Sequence, residues 1–407
     1  MDLDWLIIGG GIHGVHLAVR LLGEAQCPVD ALRILDPEPH LLARWRRFST
    51  TTGMTHLRST VVHHLDLDPY SLLQYAEQRA DLAASMPLFV PPYDRPSLAL
   101  FDAHCDRVIE RYGLADLHIR DRAVRCAPDE SGVTVTLSGG EPLRTRHVVL
   151  ALGASNQPAW PEWASPSDPY VHHIFDPSFA GWPETQESLV VVGGGISAAQ
   201  AALRLAREGH EVRMITPHAL REHDFDSDPG WMGPKFMAGF SRERDFTKRR
   251  RLITEARHRG SLAPDVHRDL MHAIGEGDVS VQVDEIVGLR RVAGRCALRL
   301  GSGEDLPADR ILLATGFTAT RPGGAMIEGM VRAEGLRCAA CGYPVIDEAL
   351  RWHPRVRVTG PLAELELGPA ARNITGARRA GDRVLASLDA PDKARTTGRR
   401  PRRSPTG

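Results

Sequence analysis

Trp5-Leu6-Ile7-Ile8-Gly9-Gly10-Gly11-Ile12-His13-Gly14 carries an apolar run into a glycine cluster. Val15 to Leu22 follow at helical spacing, and Leu32 to Leu35 form a second apolar run that ends at Asp36. This pattern predicts a strand, a tight turn, a helix and a second strand. In that setting the spacing Gly9-x-Gly11-x-x-Gly14 has a physical purpose. Glycine permits the turn, lets backbone approach a pyrophosphate, and leaves helix N–H groups facing the phosphates. Asp36 stands where a carboxylate can accept hydrogen bonds from ribose hydroxyls. His13, inside the loop, is either a phosphate contact or a spacer. A glycine turn without a ligand is the plainer alternative, and the flanking strand, helix and terminal acid argue against it.

The same grammar returns later. Leu189 to Val192 lead into Gly193-Gly194-Gly195-Ile196-Ser197-Ala198, then a helix to Glu208 and a strand from Glu211 to Thr216. Gly193, Gly195, Ser197 and Ala198 are the expected contacts of a second dinucleotide. Its strand ends without an acid, and an acid there would repel a 2′-phosphate, so NADPH is expected rather than NADH. Arg213 and Arg221 are candidates to neutralise that phosphate. The duplication extends further, because Val133 to Gly153 (VTVTLSGGEPLRTRHVVLALG) and Cys296 to Gly316 (CALRLGSGEDLPADRILLATG) match in length and order of elements. Arg355 to Gly360 then reads as a strand, and Gly368-Pro369 as the start of a helix to about Leu388. The predicted fold is α/β with two Rossmann-like dinucleotide-binding domains, the NADPH domain inserted into the FAD domain. Its expected bounds are 1–165 for the first part of the FAD domain and 166–316 for the NADPH domain, with a helical insert at 217–272. Residues 317–389 return to the FAD domain, and 390–407 form a disordered basic tail.

Composition narrows the function. A chain of 407 residues with 42% hydrophobic and 25% charged residues is globular, and its formal charge of −1 excludes a strongly basic nucleic-acid binder. The last 17 residues carry six Lys/Arg and one Asp, which leaves −6 on residues 1–390. No apolar run is long enough for a membrane span, and no basic leader precedes the first strand, so a cytoplasmic protein is expected. Cys338-Ala339-Ala340-Cys341 has no second cysteine or histidine pair, so no metal site is expected, and the pair is a redox couple or an incidental turn.

Two nested dinucleotide turns, joined to several further segments, resemble the FAD- and NADPH-dependent monooxygenases of the two-dinucleotide-domain type, in particular the lysine/ornithine N-hydroxylating family. Gly53-Met54-Thr55-His56-Leu57-Arg58 with Asp68-Pro69-Tyr70-Ser71, Pro96-Ser97, the linker from Leu152-Gly153 to His172-His173, and Ala314-Thr315-Gly316-Phe317 carry the resemblance. It implies a monooxygenase that spends NADPH and O2 to hydroxylate a nucleophilic heteroatom of a small molecule, an amine nitrogen foremost, through a C4a-(hydro)peroxyflavin. It also implies that the helix at Gly368-Pro369 faces the flavin, that Gly316 and Gly360 belong to the cofactor-binding set, and that the chain forms a homo-oligomer. Arg58 stands where the family has a lysine, and Lys235 lies in the insert; both are candidates for substrate or nicotinamide contact. The family's Asn-Glu-x-Phe segment is replaced by Trp231-Met232-Gly233-Pro234-Lys235-Phe236, so an amino-acid substrate is not carried over. Two alternatives stay open: an FAD/NAD(P)H oxidoreductase without oxygenation, using the cysteine pair, and a nucleotide-binding protein without catalysis.

Overall fold

A computed structural model describes residues 3–292 and 295–389; the tail expected at 390–407 lies outside the described residues. β1 (Leu3–Ile8) runs into α1 (Ile12–Gly23) and returns as β2 (Leu32–Leu35). Strands covered on both faces read as continuous apolar runs, and Leu6 and Ile7 are fully buried. α2 (Ala43–Thr52) follows, then α3 (Leu98–Arg111), whose N-terminus is capped by the Ser97 hydroxyl accepting from the Leu100 N–H at 3.2 Å. β3 (His118–Ile119), the hairpin β4 (Ala123–Pro128) and β5 (Val133–Leu137), and β6 (Leu143–Leu150) complete the first pass.

The chain then crosses to a second sheet. β7 (Val171–His173), β8 (Ser188–Val192), α4 (Ile196–Arg207) and β9 (Glu211–Thr216) come first. Next are α5 (Pro234–Arg242), α6 (Phe246–Ala256), α7 (Pro264–Glu276) and β10 (Val279–Val283). A meander of β11 (Ile286–Val292), β12 (Arg295–Leu300) and β13 (Asp305–Ala308) leads to β14 (Arg310–Leu313). The last elements, β15 (Arg351–His353), β16 (Val356–Val358) and α8 (Ile374–Asp389), rejoin the first sheet.

The first sheet has the order β15-β16-β6-β1-β2-β3, with β5 and β4 extending from β6 as an antiparallel ribbon. The second is parallel throughout, in the order β10-β9-β8-β14-β7. This is the expected α/β fold, one dinucleotide-type sheet nested in the sequence of another. The internal repeat appears as matching strands. In the first copy a single eight-residue β6 serves both ribbon and sheet. In the second, Asp309 interrupts the run between β13 and β14, and its carboxylate accepts from the Ser188 N–H at 2.9 Å. The two crossings are clipped together: Ala159 N–H donates to Gly316 O and Thr318 N–H to Gln157 O, both at 2.9 Å.

Two details differ from the sequence reading. α8 starts at Ile374, not at Gly368. Pro369–Arg372 form a tight 3-10 turn and Asn373 is extended, because Gly376 lets the Ala370 and Ala371 carbonyls pack where a side chain would stand. Within the stretch read as an insert, α7 packs on the second sheet, where Val266 and Leu270 share a core with Ala198 and Ala202. The remainder, from Pro217 to about Gly260, docks on the first half through Phe240, Ile253, Tyr343 and Leu365.

Candidate functional site

Ligands of open α/β sheets bind outside the C-terminal ends of the strands, where the strand order reverses. In the first sheet that point lies between β1 and β6, at the glycine turn. Gly9 has φ +120°, and a side chain there would come 2.5 Å from the Ala151 carbonyl oxygen; one at Gly14 would be driven into the Gly9 carbonyl. Gly11 differs, since nothing stands within 4 Å of where its Cβ would be. The first turn of α1 has neither a capping side chain nor an acid. Its N–H groups and dipole are thus left to an anion, so the residues present fit a dinucleotide. Asp36 closes β2 and accepts from the Gly10 N–H at 2.6 Å and the Glu38 N–H at 2.9 Å, so the same carboxylate pins the turn. His13 points inward. Its Nδ1 lies 2.9 Å from the Thr359 hydroxyl, and its ring rests against Gly360. Burial lowers its pKa to about 4, so it is neutral at pH 7.

The second turn is built alike. Gly193 has φ +146°, with the Ala314 carbonyl oxygen 2.6 Å from its Cβ position, and a side chain at Gly194 would strike the Thr216 hydroxyl. Gly195 caps α4 without a side-chain bond, and no acid lies in the first turn, which holds Ser197 and the buried Ala198. These residues also fit a dinucleotide. β9 ends at buried Thr216, whose hydroxyl donates to His218 O at 2.9 Å. The His218 ring lies between Gly194 and Gly260, 2.8 and 2.5 Å from their Cβ positions. The structure separates the two arginines proposed for this end. Arg213 sits three residues before the end of β9, exposed and 3.6 Å from Glu211, away from the ligand edge. Arg221 is exposed in a short strand paired with Ser261 and Leu262, beside the turn that carries Arg259. His218 and Arg259 also lie at this end, beside Gly194 and Gly260, and the sequence reading does not offer either as a phosphate contact. The signal for His218 was its place two residues past Thr216; nothing local marks Arg259.

Between the two turns lies the docked segment. Arg58 was a candidate substrate contact, but its guanidinium donates to the carbonyls of His223, Asp224 and Phe225 at 2.5, 3.0 and 2.9 Å and to the Ser261 hydroxyl at 3.0 Å. Burial pulls its pKa below the ordinary arginine value. The structure thus makes Arg58 a clamp on the segment. Lys235 is exposed, its ammonium 4.8 Å from the Phe236 ring centroid. Gly368, at φ +78°, faces Met237, whose sulfur would lie 2.9 Å from a Cβ. Next to it, fully buried Glu364 binds Arg250, Arg257 and Arg372. Gly316 lies in the clipped crossing. Cys338 Sγ receives an Arg321 N–H at 3.2 Å, Cys341 is exposed, and neither is in a disulfide. Among the described residues no group of three or more His, Cys, Asp or Glu could hold a metal ion, and no helix is long and apolar enough to cross a membrane.

Comparison with known proteins agrees with this geometry. Residues 6–155 match a family model described as FAD-NAD(P)-binding, and residues 187–342 match one described as pyridine nucleotide-disulphide oxidoreductase. No curated protein matches the sequence. Among solved structures, the ornithine N-hydroxylase of Kutzneria sp. 744, with FADred, NADP+ and L-ornithine, is similar at TM-score 0.75 and 18% identity, covering 96% of this chain and 99% of that one. The FAD-bound cadaverine monooxygenase of Erwinia amylovora gives 0.73 and 17% over 100% of both chains. The ornithine hydroxylase of Pseudomonas aeruginosa gives 0.74 and 19% over 95% and 99%. The resemblance read from the sequence is borne out at the level of fold: the chain has the architecture of the N-hydroxylating flavin monooxygenases.

Proposed function

We propose that this chain is an FAD-dependent, NADPH-consuming monooxygenase that hydroxylates an amine nitrogen of a small molecule. The observation that carries the reading is the pair of uncapped, acid-free helix N-termini behind Gly11 and Gly195, set in the fold of ornithine and cadaverine hydroxylases. Bound FAD would supply the redox and oxygen-activating chemistry, so the chain needs no nucleophile–base pair of its own. The chain's part is to bind, orient and exclude water. N–H groups of α1 receive the FAD pyrophosphate, and Asp36 receives its ribose. Gly195, Ser197 and Ala198 do the same for NADPH, while His218, Arg221 and Arg259 take its 2′-phosphate. Gly360, Gly368 and Pro369 border the flavin end. Trp231, Met237 and Phe240 of the docked segment pack together over that side. We further propose that the chain is cytoplasmic and forms a homo-oligomer; sedimentation of the purified protein checks the oligomeric state.

The test follows NADPH oxidation and H2O2 release across a panel of small amines. A substrate should speed NADPH oxidation, lower the peroxide yield and appear as its hydroxylamine. Peroxide equal to NADPH consumed with every amine would sink the oxygenation step. Arg259→Ala should raise KM for NADPH about tenfold, the worth of one charged hydrogen bond, and leave NADH unaffected. A second reading, electron transfer without oxygenation, draws support from the disulphide-oxidoreductase match over 187–342 and from Cys338 and Cys341. Full NADPH turnover after both cysteines are changed to serine would remove its thiol form.

A further inference from the structure

Three arginines from two segments converge on one buried carboxylate, that of Glu364. Arg372, in the turn ahead of α8, gives it bonds of 2.8 and 3.0 Å. Arg257, just past α6, donates to one oxygen at 3.0 Å, and Arg250 of α6 binds the other. Burial opposes ionisation of Glu364, but the guanidiniums of Arg372, Arg257 and Arg250 overcome it and hold its carboxyl below the ordinary value.

The neighbouring charges do not neutralise the cluster. Asp226 acts on Arg257, but it acts on Arg58 as well. Arg249 has its own partner, Glu366, at 2.9 Å, and Arg259 adds a further positive charge beside Arg257. Nε and Nη2 of Arg250 and Nε of Arg257 are buried without a hydrogen-bond acceptor. Arg250 stacks instead 4.1 Å from the Tyr343 ring centroid, with Cys341 alongside. A buried excess of like charge is costly unless a counter-charge meets it.

The cluster's position identifies that counter-charge. His13 of the first glycine turn bonds Thr359 at the end of β16 and reaches the backbone of Arg372 and Asn373. Arg257 also donates to the Pro369 carbonyl at 3.1 Å. The arginines therefore stand at the C-terminal edge of the first sheet, beside the start of α8. A dinucleotide laid from Asp36 across Gly11 must put its second half on this side. We infer that the Glu364-centred arginines are a fixed counter-charge for reduced flavin. The inference rests on the FAD reading above. Hydride from NADPH brings two electrons and one proton, leaving NADP+ and a flavin with one added negative charge. Arginines held in place by Glu364 stabilise that charge without reorganising.

The experiment measures the midpoint potential of FAD-loaded full-length protein against reference dyes. Arg250→Gln and Arg257→Gln should each weaken binding of reduced relative to oxidised FAD about tenfold, which is about 30 mV more negative for a two-electron couple. Glu364→Gln removes the carboxylate that all three arginines share and should move the potential as far in the positive direction. Opposite signs are not what general loss of packing produces. Unmoved potentials in variants that keep FAD, or shifts of one sign in all three, overturn the inference. If Glu364→Gln does not fold, the arginine variants still decide, since each leaves Glu364 two guanidinium partners. Wild-type protein that takes up no FAD in equilibrium dialysis overturns the FAD reading, and this inference with it; retained FAD with unmoved potentials overturns only the inference.

Discussion

Gly11 and Gly14 share one turn, yet a methyl group would meet different things at each. At Gly14 it is driven into the Gly9 carbonyl, which is itself fixed beneath Ala151 by a φ of +120°. At Gly11 it meets no protein atom, and the φ of −81° suits any residue. Overpacking of the first kind costs about 1–3 kcal/mol, whereas surface changes of the second kind stay within about 0.5 kcal/mol. Gly14→Ala should therefore lower the melting temperature of the apoprotein. Gly11→Ala should leave that temperature alone and weaken FAD at least about tenfold, because the methyl occupies the approach to the helix N–H groups. Melts of apoprotein and FAD titrations separate the two. Unchanged FAD affinity in Gly11→Ala would remove the first glycine turn from the site.

At the scale of elements, the docking of residues 217–260 and the seating of the neighbouring α7 matter most. Arg58 holds three consecutive carbonyls of that segment, and Arg95, next to the α3 cap, forms a buried 2.7 Å ion pair with Asp265 at the start of α7. Removing one partner of such a pair strands the other charge and costs about 3–5 kcal/mol. Asp265→Ala should lose that much in urea denaturation. Arg58→Lys should also destabilise, since an ammonium cannot reproduce a planar fork spread over several carbonyls. An Asp265→Ala loss under about 1 kcal/mol would mean that the seating of α7 beside the α3 cap rests elsewhere. This level also marks what the sequence could disclose. β1, α1 and β2, the two glycine turns and the internal repeat are local patterns, readable from apolar runs and spacing. The clamp by Arg58 joins residues more than 160 positions apart, and no local pattern encodes it. The start of α8 at Ile374 depends on how Gly376 packs, again beyond any helical periodicity. Arg213 is a different case: its place in the first half of β9, far from the strand's C-terminal end, was legible and argued against a phosphate contact.

For the whole molecule, the interior of the first half is unusual in holding neutral histidines. His16, His64 and His104 are each at most 1% exposed. They bond the Leu65 carbonyl at 2.8 Å, the Pro69 carbonyl at 3.1 Å and the Ser71 hydroxyl at 3.0 Å, and the His64 and His104 rings meet edge to face at 5.0 Å. Burial is the chief cause that lowers their pKa values to about 3, 4 and 3, and the Arg378 charge adds to it for His16 and His64. Their folded pKa values lie below the unfolded value of 6.5, so the unfolded chain binds protons first as pH falls. Stability from these groups is complete above pH 6.5 and drains away between 6.5 and the folded values. At pH 5.5 each has lost about 1.4 kcal/mol, so the three together approach about 4 kcal/mol. Carboxylates with lowered pKa values, Glu364 and Asp129 among them, add their losses only below their own unfolded values near 4. The interval from pH 7.5 to 5.5 therefore isolates the histidines. The urea midpoint of the apoprotein should fall steeply across it, and because the pKa values of His13, His63, His147 and His173 are lowered to about 4 as well, His104→Gln should flatten the slope by about one seventh. An unchanged midpoint between those two pH values would show that the histidines carry no such linkage, and that the polar interior of this half does not set its acid limit.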